Sequence, residues 1–218
     1  HDEHKQVTEI CIDQVKGRKP IIAGAGSNST REAVELAKHA KLAGADAVLV
    51  VTPYYNKPTQ GGMYAHFKAV HDEGGLPVII YNIPPRSIVD MTPETMAELA
   101  KLPNIVGVKD ATADLFRPQV TRAAMNGGAD DFCFLSGEDG TAVPFLAAGG
   151  HGCISVTANI APRLCADMQR AWRDGDVAKC MELQERLTPL HDAMFCEASP
   201  GPVKHAAKLL GKCEADVR

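Results

Sequence analysis

The feature that most constrains this chain is a repeating alternation. Short apolar runs rich in Val, Ile and Ala alternate with longer stretches of helical periodicity, about six times over 218 residues. Residues 1–16 set Val7, Ile10, Cys11 and Val15 on one helical face. "PIIAGAG" (20–26) follows as a short buried strand with a glycine-rich exit. Ser29 and Glu32 then form an S-x-x-E capping box for a helix that runs to about Ala43. The same sequence of elements recurs in strand 46–55, helix 60–74, a strand from 77, a helix opened by Thr92 and Pro93, and strand 104–109. Helix 114–126, strand 130–135, helix 139–148 and strand 151–156 complete it, and 160–210 is helical with a break near Ser199-Pro200-Gly201-Pro202. Strands that are apolar along their whole length are covered on both faces, which means parallel sheet under helices. Two architectures satisfy this: an open doubly wound sheet, or a closed (β/α)8 barrel of roughly 250 residues. The chain starts on a helix, so the barrel alternative requires two more strands than the six found.

Composition narrows the function classes. A chain with 45% hydrophobic and 23% charged residues has globular composition. A net charge of -4 does not provide the basic footprint that nucleic acid needs. No apolar run is long enough to span a bilayer and no signal-peptide pattern is present, so the expected location is cytoplasmic. Seven cysteines without a CxxC pair point to buried free thiols rather than a disulfide framework. The eight histidines show neither HExxH nor HxH, and no metal site is expected. "GAGSNS" lacks the third glycine of a dinucleotide loop.

In both architectures the chemistry lies beyond the carboxyl ends of the strands. There the chain carries Thr52, Tyr54 and Tyr55, then Tyr81, Asn82 and Arg86, then Lys109 and Asp110, then Ser136 and Glu138, then Ser155 and Thr157. All are expected to face one mouth. In "NIVGVKD" an apolar strand ends on a lysine. Lys109 is either a solvated strand end or a desolvated amine, and a desolvated amine is a nucleophile that forms a Schiff base with a carbonyl. Tyr81 suits a proton relay and Arg86 suits a carboxylate, although a packing aromatic and a surface arginine fit the same positions. Tyr81 and Lys109 are 28 positions apart, one strand–helix repeat, which puts them on neighbouring strands.

"VTPYYNKP", "YNIPPR", "GVKDAT", "LSGED" and "GGHGCISVTAN" together resemble the dihydrodipicolinate synthase family, in order and spacing along the whole chain. The resemblance implies an α/β fold, a (β/α)8 TIM barrel of the class I aldolase type with extra C-terminal helices. It implies condensation of pyruvate with aspartate 4-semialdehyde, on the route to lysine and diaminopimelate, in a homodimer or homotetramer. No metal or organic cofactor is implied, the imine with pyruvate at Lys109 serving instead. Tyr81 resembles the relay tyrosine, Tyr55 the tyrosine that reaches into a neighbouring subunit, and Arg86 the arginine for the semialdehyde carboxylate. Gly137 and Ile154 match positions whose backbone lies against substrate. His1, His4, Asn28, Glu32 and Tyr54 match the residues around the inhibitor in lysine-regulated members.

The family's "GTTGE"-like segment has no counterpart here, and neither do its first two strands. The expectation is therefore a barrel lacking those strands, with 1–158 as partial barrel and 159–218 as a helical extension, and with little or no activity in this chain alone. Two other readings remain open. One is an N-acetylneuraminate lyase-like or keto-deoxy-sugar acid aldolase, against which Arg86 argues. The other is a non-catalytic lysine-binding barrel remnant, against which Lys109, Tyr81 and Arg86 argue together.

Overall fold

Capping residues, glycines and prolines set the element boundaries in the computed structural model, which describes residues 2–217. The chain divides into two units, His1–Leu135 and Ser136–Arg218. The first holds α1 (Asp2–Val15), β1 (Ile22–Gly24), α2 (Thr30–Ala43), β2 (Ala47–Val51), α3 (Gln60–Gly74) and β3 (Val78–Asn82). It continues with α4 (Pro84–Ser87), α5 (Pro93–Ala100), β4 (Ile105–Asp110), α6 (Arg117–Ala124) and most of β5 (Cys133–Ser136). Strands β1 to β4 pair in parallel, and the sheet runs in chain order, β1-β2-β3-β4-β5. A doubly wound sheet reverses its strand order at a switch point. No reversal occurs in this unit, so the winding is the one-directional kind a barrel uses.

The pleat sorts each strand into two faces. Val48, Val50, Val78 and Ile80 are fully buried and face the helices, whose Met63, Phe67 and Val70 are buried with them. The alternate residues Leu49, Val51 and Tyr81 line a cavity on the other face. Helix starts follow the sequence signals. Thr59 caps α3, and Thr92 with Pro93 opens α5. The capping box of α2 is built differently from expectation. Ser29 accepts the Glu32 N–H, but the return arm runs through the buried Ser27, whose hydroxyl bonds to the Glu32 carboxylate and accepts the Ser29 N–H at 3.1 Å. The apolar face foreseen for α1 is open, with Val7 and Ile10 about 60% exposed.

The second unit contains α7 (Ala142–Ala147), β6 (Gly152–Cys153), a 3-10 turn (Thr157–Asn159), α8 (Pro162–Arg173), α9 (Val177–Ala193) and α10 (Gly201–Leu209). Val143, Met168, Cys180, Leu183 and Leu187 form its core. The strand foreseen over 151–156 shortens to two residues. The cause is Asp139, whose carboxylate accepts the Ser155 hydroxyl and the backbone N–H groups of Val156 (2.8 Å) and Thr157 (3.1 Å), turning that backbone out of the strand. The helical stretch also breaks at 174–176, where Gly175 has φ +77 and Asp176 caps α9 through the Lys179 N–H. All seven thiols are free, but only Cys165 and Cys180 are buried, while Cys11, Cys196 and Cys213 are exposed. No helix among the described residues is long and apolar enough to cross a membrane.

One buried histidine joins α2 to α3. His66 Nδ1 lies 2.9 Å from the Thr30 hydroxyl, and Nε2 is buried with no hydrogen-bond partner. Burial lowers its pKa from 6.5 to about 4. Below the higher value the unfolded chain takes up a proton that the folded chain refuses, so stability falls with pH through this window and levels off below the lower value. The expected loss is roughly 2–3 kcal/mol between neutral pH and pH ~4. Urea unfolding of the wild type and His66→Gln at both pH values checks this. An identical pH slope in the two proteins contradicts it.

Candidate active site

Parallel strands β3 and β4 end side by side, and their register decides which side chains meet. Tyr81 pairs with Lys109 and Asn82 with Asp110. The pairing depends on a bulge. Val78 pairs with Ile105 but Ile79 pairs with Gly107, so Val106 is an extra residue in β4. Without it Tyr81 would face Val108 and Lys109 would point to the opposite side of the sheet. Gly107 permits the close approach of β4 to β5, because a Cβ there would lie 2.5 Å from the Cys133 carbonyl oxygen.

Lys109 is half-buried, and its Nζ lies 4.0 Å from the centroid of the Tyr81 ring. The nitrogen therefore sits over the ring face. That face is the negative pole of the ring quadrupole and attracts a cationic amine. Burial raises the Tyr81 phenol pKa, and the charge of Arg86 opposes the rise without cancelling it. The phenol keeps its proton at neutral pH and is available as a donor.

A cavity of about 370 Å³ opens on this face of the sheet. Tyr81, Ile83 and Arg86 line it, with Leu49 and Val51 from β2, and His4 and Tyr54. Arg86 is exposed and rides on the one-turn helix α4, directly after β3. His4 Nε2 lies 2.6 Å from the Gly24 carbonyl oxygen, which ties α1 to the end of β1.

Several foreseen residues sit elsewhere. Strand-end polar groups were expected to share one mouth, but the two-residue pleat sends every second one away from it. Thr52 is fully buried with an unpartnered hydroxyl. Asn82 turns toward Asp90 and the Met91 N–H, and Asp110 accepts the Thr112 N–H and hydroxyl. Burial raises the Asp110 pKa beyond what the Thr112 bonds and Arg117 offset. Tyr55 is 89% exposed with φ +70, a strained backbone for a tyrosine, and it does not line the cavity. Asn28 accepts a bond from Asn56 through its carbonyl, and Glu32 is engaged by Ser27. His1 lies outside the described residues. In the second unit Ile154 donates its N–H to the Ser136 carbonyl at 2.9 Å, next to Gly137. Sequence reasoning missed Asp90 and Arg117, an ion pair from distant segments that no local motif announces.

The model of the dihydrodipicolinate synthetase family matches residues 1–218. The chain belongs to this family. The 4-hydroxy-tetrahydrodipicolinate synthase of Rhodospirillum centenum is 63% identical over 218 residues, which is all of this chain and 74% of that protein. The crystal structure of the chloride-inhibited dihydrodipicolinate synthase of Acinetobacter baumannii, complexed with pyruvate, superposes with a TM-score of 0.94 at 46% identity. That match covers 100% of this chain and 74% of the other. The synthase structure from Cyanidioschyzon merolae with lysine bound gives 0.91 at 38% identity, covering 97% and 71%. With the chain-order parallel sheet, these likenesses establish a TIM-barrel-like α/β fold for this dihydrodipicolinate synthetase family member.

The bulge and Gly107 act together in setting the synthase register. Gly107→Ala is expected to push β4 from β5 and cost about 1–3 kcal/mol, the usual range for a forced overpacking. Urea unfolding measures it. A midpoint equal to that of the wild type would show that the close approach is not obligatory.

Proposed function

We propose that this chain forms a Schiff base between Lys109 and pyruvate and joins the resulting enamine to L-aspartate 4-semialdehyde, yielding 4-hydroxy-tetrahydrodipicolinate for lysine and diaminopimelate synthesis. The observation that carries this is the pairing of Tyr81 with Lys109 across β3 and β4, with the amine 4.0 Å from the ring centroid and Arg86 at the same cavity. The neutral amine adds to the keto carbon of pyruvate. Tyr81 gives a proton to the carbinol oxygen, water leaves, and an imine remains. Loss of a methyl proton makes the enamine, whose carbon attacks the aldehyde carbon of the second substrate; the amino group of that substrate then adds to the imine carbon, closing the ring and releasing the Lys109 amine. The imine is the electron sink, so the scheme uses neither metal nor organic cofactor. Arg86 receives the semialdehyde carboxylate through paired N–H groups.

Other assignments belong to the same reading. Tyr55, exposed and strained, completes the proton relay of a neighbouring copy in a homodimer or homotetramer. Gly137 and Ile154 offer backbone groups to substrate. His4, Asn28, Glu32 and Tyr54, with His1, form a lysine site, and an inhibitory coupling of about 1–3 kcal/mol suffices for feedback. That His4 and Tyr54 line the cavity that holds Tyr81 supports such a coupling. Residues 1–158 form a partial barrel and 159–218 the helical extension. The reaction runs in the cytoplasm.

Incubation with pyruvate and borohydride, followed by peptide mass analysis, tests the central assignment. The reduced adduct is expected on Lys109, absent in Lys109→Arg, and formed about 100-fold more slowly in Tyr81→Phe. An adduct on another lysine, or none, overturns it. Cleavage of N-acetylneuraminate in preference to condensation with the semialdehyde overturns the substrate assignment.

A further inference from the structure

Residues 83–91 leave β3 at Asn82 and return to the same side chain. Asn82 Nδ2 donates to Asp90 Oδ1 at 2.8 Å, and Asn82 Oδ1 accepts the Met91 N–H at 3.2 Å. The loop is therefore closed at its neck, and Arg86 rides on it. Arg117, the first residue of α6, grips the neck from the other side. Its Nη1 donates to Asp90 Oδ1 at 3.0 Å and to the Met91 carbonyl at 3.1 Å, and its Nη2 donates to Asp90 Oδ2 at 2.7 Å. Gln60 adds a third hold, donating to the Asp90 carbonyl at 2.8 Å and accepting the Thr92 N–H at 3.1 Å.

The loop needs such holds. Ile88 has φ +68, a conformation that a β-branched side chain resists. The Ser87 hydroxyl is already committed to the carbonyls of Ile83 and Val89 inside the loop. Strain of this kind persists only where surrounding contacts over-determine it. The Arg117 side chain is 18% exposed and that of Asp90 42%, so the pair is shielded from water on the guanidinium side only. Burial tends to raise the Asp90 pKa, yet the bonds from Arg117 and Asn82 and the Arg117 charge bring it below the usual carboxylate range. The fork geometry matters. Two N–H groups meet both carboxylate oxygens while one also meets a carbonyl, which a lysine ammonium does not reproduce.

We propose that Arg117 is a positioning residue: through Asp90 and Met91 it locks loop 83–91 and so aims Arg86 at the carboxylate of the second substrate. The identity of that carboxylate rests on the proposed function, whereas the locking of the loop does not. Arg117 touches no reacting atom in this scheme, so pyruvate chemistry at Lys109 is left largely intact when it is replaced.

The test compares wild type, Arg117→Gln and Arg117→Lys, with Lys101→Gln, at an exposed pair with Glu98, as control. Hydrogen exchange is followed at the amides of Arg86, Ser87, Ile88 and Met91, against Ala37 and Ala40 in α2. Arg117→Gln is expected to accelerate the loop amides about tenfold or more while the α2 amides stay within about twofold, as local opening requires. Arg117→Lys falls between, and the control does not change. In the same proteins borohydride trapping of pyruvate on Lys109 stays within about twofold, and the half-saturating semialdehyde concentration rises about tenfold, the worth of one charge-assisted bond. Unchanged loop amides, or equal acceleration in the loop and α2, overturns the proposal, since a merely stabilising ion pair acts on the whole unit. A loss of pyruvate trapping as large as the loss of semialdehyde saturation overturns it too. Absence of a pyruvate adduct in the wild type overturns the proposed function instead, and the exchange result still decides the role of Arg117. If Arg117→Gln does not fold, Arg117→Lys carries the same comparison.

Discussion

The register between β3 and β4 is the constraint on which the candidate site depends. A strand places alternate side chains on opposite faces, so one residue of slip moves Lys109 from the cavity face to the helix face. The bulge at Val106 absorbs that one residue and sets Lys109 opposite Tyr81. Gly107 lets β5 approach where the bulged strand would otherwise collide with it. The amine then lies over the negative face of the Tyr81 ring, a placement that suits a nitrogen cation.

The same pleat divides labour between the two faces of the strands. Tyr81 lines the cavity, and Lys109 pairs with it on the same face of the sheet. Their immediate successors Asn82 and Asp110 face the other way and serve the scaffold. Asn82 closes the loop that bears Arg86, and Asp110 braces the turn at Thr112. Asp90 and Asp110 show opposite pKa shifts although Arg117 acts on both. The difference follows from bonding. Asp90 takes two direct bonds from the guanidinium, whereas Asp110 receives only its field and is more deeply buried. The chemistry-bearing face is thus backed by a polar layer whose members are almost all satisfied.

The second unit uses the same device on its own scale. Asp139 is buried and receives the Ser155 hydroxyl and two backbone N–H groups, while Gln184 donates to the carbonyls of Asp139 and Gly140. These bonds fix the backbone on either side of Gly137 and Ile154 without using any regular strand beyond two residues. A carboxylate that gathers several donors organises a loop as firmly as a sheet ladder does, because a buried charge with its donors removed is costly.

The primary structure by itself determined the alternation of strands and helices, the helix starts at Ser29 and Thr92, and the placing of Tyr81 and Lys109 on neighbouring strands. Each of these is local, carried by the period of apolar residues or by one capping side chain. The family was legible too, through five short motifs spread along the chain. Only the tertiary structure decided which strand-end residues face the cavity, since a single bulge at Val106 sets the parity and no composition signals it. The Arg117–Asp90 clamp, the relay of the α2 cap through Ser27 and the turn imposed by Asp139 were equally invisible. Each joins groups distant in the chain or replaces one hydrogen-bond partner by another of equal worth. Such choices are made by the space left between packed elements, which exists only once the elements have met.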